Sequence, residues 1–109
     1  MLNAQMWRIY LRDGDHGMLP YASPMKAESF HGLPPAYIET AEFDCLRDEG
    51  RVYANRLMDE SVPVRLEETR GTIHGYDGVL TSKITQTSLK KRIEALQFFL
   101  ADPGKPRFP

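Results

Sequence analysis

Ala36-Tyr37-Ile38-Glu39-Thr40-Ala41 runs directly into Glu42-Phe43-Asp44-Cys45-Leu46-Arg47-Asp48-Glu49-Gly50. The first six residues are aromatic, β-branched or small, and predict a strand over about 36–42. A helix is expected next, over about 46–60. Leu46, Tyr53, Leu57 and Met58 recur there at helical spacing, and Asp48 and Glu49 occupy the first turn, where the helix dipole favours negative charge. Pro63 to Thr69 predicts a second strand, about 63–69, with Val64 and Leu66 as its inward candidates. Two strands joined by a helix of this length form a right-handed parallel crossover. The fold class is therefore α/β.

Working outward, Asn3 to Arg12 gathers Met6, Trp7, Ile9, Tyr10 and Leu11 into a short amphipathic helix, about 3–12. Asn3 is available as its cap, and Trp7 and Tyr10 are expected in the core. The segment 13–35 carries Gly at 14, 17 and 32 and Pro at 20, 24, 34 and 35, so a long irregular loop is expected. Gly71 to Gly78 is a second loop. Ser82 can cap a last helix, about 82–100, in which Ile84, Leu89, Ile93, Leu96 and Leu100 recur. Asp102-Pro103-Gly104 stops that helix, and 101–109 reads as a disordered tail. Parallel strands need cover on both faces and neighbours on both sides, and isolated strand pairs are marginal. The expectation is a piece of a larger α/β protein.

Composition narrows the function. The chain has 109 residues, enough for one domain, and is 41% hydrophobic and 27% charged. Fourteen basic residues face fifteen acidic ones, which removes the basic excess that a nucleic-acid binder needs. No stretch approaches the roughly 18 apolar residues of a membrane span. Cys45 is the single cysteine, so neither an internal disulfide nor a multi-thiolate metal site can form. A cytoplasmic setting is expected. Asp13-Gly14-Asp15-His16-Gly17 faintly suggests a calcium loop but lacks the closing Glu, and no metal or cofactor is expected.

In open parallel sheets, active groups stand just beyond the carboxyl ends of strands. Asp44 holds such a position after the first strand, and His74, in Gly71-Thr72-Ile73-His74-Gly75-Tyr76, follows the second. Adjacent strands lie about 4.8 Å apart, close enough for groups at matching ends to meet. An aspartate there can fix one tautomer of an imidazole, as hydrolytic triads require. Plainer roles also fit these residue types. Asp44 can cap the following helix, and a histidine in a Gly-bracketed loop is ordinarily structural. Arg47, Asp48 and Glu49 suit a solvated first turn, His16 and His31 the surface, and Cys45 a passive place in the turn.

Four ordered motifs then converge: Pro20-Tyr21-Ala22-Ser23-Pro24, Gly32-Leu33-Pro34-Pro35-Ala36, Ala41 to Gly50, and Ile73-His74-Gly75-Tyr76. Together they resemble the C-terminal third of the α/β-hydrolase fold, in the hormone-sensitive-lipase-like esterases. The resemblance runs from about Trp7 to Leu100 and implies Asp44 as triad acid and His74 as triad base. Cys45 stands where that family usually has Pro, and Tyr76 where it usually has Phe. The family's nucleophile sits in Gly-Asp-Ser-Ala-Gly and its oxyanion donors in His-Gly-Gly-Gly. Here Ser23, Ser29, Ser61, Ser82 and Ser88 lie in no such context. The resemblance thus implies the C-terminal portion of a serine carboxylic-ester hydrolase acting on an ester substrate, inactive alone for want of a nucleophile. Non-catalytic relatives resembling gibberellin receptors replace the triad histidine, so His74 favours an enzyme parent. The alternative is a non-catalytic binding or self-associating fragment. A homodimer or higher oligomer is expected, because the strand at 36–41 would lack its neighbour, and Tyr53, Leu57, Ile93, Leu96 and Phe99 would be partly uncovered.

Overall fold

The computed structural model describes residues 2–101. In chain order these are α1 (Leu2–Tyr10), α2 (Leu19–Ala22), a 3-10 turn (Pro24–Lys26), β1 (Ala36–Ala41), α3 (Arg47–Asp59), β2 (Val64–Thr69), a second 3-10 turn (Tyr76–Gly78) and α4 (Lys83–Ala101). Every long element falls within about two residues of its expected span. The expected Asn3 cap is corrected, since α1 already begins at Leu2. The expected tail lies outside the described residues beyond Ala101.

β1 and β2 pair in parallel, from Ala36 against Val64 to Ala41 against Thr69. Side chains alternate across the pleat. On one face, Ala36, Ile38 and Val64 pack against Phe30, Leu57 and Val62, the latter three 1%, 2% and 4% exposed. α3 comes close enough that a Cβ on Gly50 would lie 2.9 Å from Thr40 Cγ2. Leu57, expected to be partly uncovered, is buried. Its cover comes from the long connection: Phe30 stacks edge-on against Tyr53 at 5.4 Å, and the Arg56 guanidinium lies 4.3 Å from the Phe30 ring centre. Arg56 also donates to the carbonyls of Met25 and Ala27, and the Glu60 carboxylate accepts the Phe30 N–H.

The other face is polar. Glu39 on β1 and Glu67 on β2 meet Arg92 and Lys91 of α4 at 2.7 and 2.9 Å. The α4 side chains that become buried are Thr85, Ser88 and Ala95, not the expected aliphatic stripe. Ile84, Ile93, Leu96 and Leu100 are 44%, 55%, 57% and 74% exposed. Burying a charge without a partner is costly, so the sheet's two carboxylates select the cationic side of α4. α3 and α4 thereby occupy both sheet faces, and α1 has none left to cover. Trp7 and Tyr10, expected in the core, are 39% and 67% exposed and pack edge-on against each other.

These ion pairs make stability depend on pH. Hydrogen bonds from Arg92 lower the Glu39 pKa from its ordinary 4.5, and a hydrogen bond from Lys91 does the same for Glu67. Both carboxyls bind protons more weakly folded than unfolded, so the contribution is complete above 4.5 and is lost as pH falls through the folded values. The urea midpoint should be flat from pH 7 to 5 and drop below pH 4.5. A midpoint unchanged at pH 3 would show that the pairs contribute nothing.

Candidate active site

The two strands end level, and both chains are tied together immediately beyond. Thr72, 2% exposed, is the knot. Its hydroxyl donates to the Thr69 carbonyl at 2.9 Å and accepts from the Glu42 N–H at 3.2 Å, while its carbonyl accepts the Phe43 N–H at 2.9 Å. Thr69 Oγ1 lies 2.7 Å from Thr72 Oγ1 and donates to the Thr40 carbonyl at 2.9 Å. Glu42 closes the loop from the other side by accepting the Gly71 N–H at 2.6 Å. Nothing in the local sequence distinguishes Thr72 from any loop threonine. Its role follows from the level strand ends.

From this joint the chain projects a carboxylate and an imidazole toward each other. Asp44 Oδ2 lies 2.8 Å from His74 Nδ1. The other oxygen, Oδ1, accepts the Leu46 N–H at 2.9 Å, and the Asp44 carbonyl accepts from Arg47. Asp44 is therefore a turn residue ahead of α3 and not its cap. The cap position is Leu46, without a side-chain bond. The Leu46 N–H first, then the bond to His74, lower the Asp44 carboxyl below its ordinary 3.8. An ionised carboxylate can only accept, so in this contact Nδ1 of His74 is the donor. The Asp44 side chain is 12% exposed and that of His74 77% exposed. The carboxylate is sheltered and held, and the imidazole is presented.

The pair borders an open cleft of 420 Å³ flanked by Pro24, Met25, Ala41, Leu46 and Tyr53. Arg47 pairs with Asp48 at 3.0 Å and donates to the Glu42 carbonyl, so this first turn is structural. His16, His31 and Cys45 are exposed. Asp15 accepts the Gly17 N–H within its own loop at 2.8 Å. Among the described residues no three His, Cys, Asp or Glu side chains cluster as metal ligands, and no helix is long and apolar enough to cross a membrane.

The chain matches the α/β-hydrolase-fold family over residues 1–78. It is 41% identical to an arylesterase of Saccharolobus solfataricus, over 65% of this chain and 23% of that protein. It is 45% identical to the carboxylesterase NlhH of Mycobacterium tuberculosis, over 57% of this chain and 19% of that protein. Among solved structures, a bacterial heroin esterase superposes with a TM-score of 0.70 at 40% identity, covering 72% of this chain and 25% of its own. The hyperthermophilic esterase of Pyrobaculum calidifontis gives 0.71 at 31% identity, with 79% and 28% covered. The chain spans less than a quarter of the length of the two curated relatives.

Thr72→Val tests the joint. It leaves a buried polar environment without its hydroxyl, so stability should fall by about 1–3 kcal/mol. Amide exchange should speed up at Glu42 and Phe43 while Ile38, in the middle of β1, stays protected. Because the Glu42 N–H also donates to the Thr69 carbonyl at 3.0 Å, unchanged exchange at both Glu42 and Phe43 is the result that would refute the knot.

Proposed function

The chain belongs to the α/β-hydrolase-fold family, in its hormone-sensitive-lipase-like esterase branch, and from that membership we propose that it is the C-terminal portion of a serine carboxylic-ester hydrolase. It supplies the triad acid, Asp44, and the triad base, His74, for short or medium acyl esters. The observation that carries this reading is the 2.8 Å contact between a sheltered, ionised Asp44 and Nδ1 of an exposed His74. On this reading the nucleophile belongs to another part of the enzyme, in keeping with the lack of a Gly-x-Ser-x-Gly sequence among these 109 residues.

In the complete enzyme, Nε2 of His74 takes the proton from the serine hydroxyl as its oxygen attacks the ester carbonyl carbon. The same nitrogen returns that proton to the departing alkoxide, leaving an acyl-enzyme. Water, deprotonated in its turn by Nε2, then releases the acid. Asp44 holds the Nδ1 proton throughout and stabilises the imidazolium. No step calls for a metal or cofactor.

The 109-residue chain alone should hydrolyse 4-nitrophenyl esters at the buffer rate. In the complete enzyme, His74→Ala should reduce kcat on the order of 10⁶-fold with the fold preserved. Turnover by the isolated chain that His74→Ala abolishes would overturn the division of labour. Near-normal kcat in the substituted complete enzyme would overturn the base assignment.

A second reading, self-association of the chain, is favoured by two observations. Among the described residues β1 has β2 on one side only, and α4 turns Ile93, Leu96 and Leu100 outward. Open strand edges recruit further strands, and a twofold dimer closes the simplest assembly. Sedimentation at micromolar concentration should give a species of at least twice the chain mass. A single compact monomer would refute it.

A further inference from the structure

His74 is exposed, and its side chain bonds to Asp44 alone among the described hydrogen bonds, so the ring's aim depends on how its backbone is fixed. Thr72 fixes the loop on the N-terminal side. On the C-terminal side stands Gly75 in the left-handed conformation (φ 76), then the turn Tyr76–Gly78, and this turn is held from α4. Arg92 grips Glu39 with two parallel donors, Nε to Oε2 at 2.9 Å and Nη2 to Oε1 at 2.7 Å. Its third nitrogen, Nη1, donates to Asp77 Oδ2 at 2.8 Å. The Tyr76 hydroxyl donates to Glu39 Oε1 at 2.5 Å and lies 3.3 Å from Nη2.

Glu39 is on the strand that delivers Asp44, while Tyr76 and Asp77 are on the loop that delivers His74. One guanidinium therefore joins the strand of the acid to the loop of the base. We infer that Arg92 is a positioning residue for the Asp44–His74 pair, acting through Glu39 and through Asp77 with Tyr76. This rests on the acid–base reading above and extends it to four groups, Arg92, Glu39, Asp77 and Tyr76, none of which hydrogen-bonds to Asp44 or His74 among the described bonds.

The chemistry favours positioning over simple adhesion. The Glu39 side chain is 13% exposed and that of Arg92 32%. A sequestered ion pair is no more stabilising than an apolar pair of similar volume, because desolvation offsets the attraction. What a guanidinium adds is direction. Its planar fork fits a carboxylate with two bonds and still offers a third nitrogen at a fixed angle. A lysine ammonium at this position could satisfy one carboxylate but could not hold both in a fixed relation.

The test is made on the whole 109-residue chain, labelled with ¹⁵N, at pH 8, where an ordinary imidazole is neutral. The two ring-nitrogen shifts of His74 report which nitrogen carries the proton, and the exposed His16 and His31 serve as references in the same spectrum. The unsubstituted chain should show His74 mainly as the Nδ1–H tautomer. Asp77→Ala, which leaves the Arg92–Glu39 pair in place, should at least halve the excess of that tautomer over the reference histidines. Arg92→Met should remove it and Arg92→Lys should restore part, with the amide signals of α3 unshifted. If Arg92→Met unfolds the chain, Asp77→Ala decides alone. Retention of the full excess in folded Asp77→Ala overturns the inference, while its loss in Asp44→Asn upholds the acid–base reading independently. An ordinary tautomer mixture in the unsubstituted chain overturns both.

Discussion

The level ending of two parallel strands is the constraint on which the rest of this chain depends. Residue for residue, Ala36 to Ala41 pairs with Val64 to Thr69, so both strands release the chain at one height. A slip of one residue would turn each β2 side chain to the opposite face. It would drive Glu67 toward Leu57 and Phe30, and lift Val64 and Leu66 toward the cationic side of α4. The apolar core on one face and the ion pairs on the other therefore specify the same register by independent means. With that register set, Thr72 can reach both Glu42 and Phe43, and the loops carrying Asp44 and His74 start from fixed points.

Much of this arrangement was legible in the residues, for reasons that differ between elements. β1, α3 and β2 carry strong local signals: β-branched strands, helical periodicity and turn residues at their ends. Asp44 and His74 were legible through motif spacing, since a carboxylate and an imidazole beyond adjacent strand ends have a short path to each other. Phe30 was not legible. It stands in a Gly- and Pro-rich connection with no periodicity to mark it, and only the exposed flank of Leu57 and Val62 on the folded α3–β2 unit gives it a destination. Trp7 and Tyr10 failed in the opposite sense. Their size suggested burial, but burial needs a vacant apolar face, and α3 and α4 had taken both.

α4 shows how a hydrophobic pattern can mislead. The aliphatic run at 84, 89, 93, 96 and 100 is the conspicuous stripe, yet a second one lies beside it. Thr85, Ser88, Arg92 and Ala95 recur at spacings of three, four and three, and it is this stripe that meets the sheet. The deciding signal was on the strands, where Glu39 and Glu67 stand among the side chains of one face. A sheet face bearing two carboxylates cannot be covered by leucines without leaving charges unpaired. Helix orientation here is set by the most expensive groups to bury, and apolar area is secondary.

The consequence for chemistry is a carboxylate and an imidazole brought together while the described serines serve elsewhere. Ser29 is bonded to Glu60, Ser82 caps α4 by accepting the Thr85 N–H, Ser88 is buried against the sheet, and Ser61 occupies a left-handed turn (φ 63) after α3. Each has a structural duty, and Ser23 sits in the extended joint before the first 3-10 turn. His74 thus presents its ring to solvent beside the sheltered Asp44 carboxylate. On the proposed reading, the carboxylate, the threonine knot and the ion pairs of α4 contribute orientation, which acquires catalytic value once a serine oxygen is brought to the exposed ring.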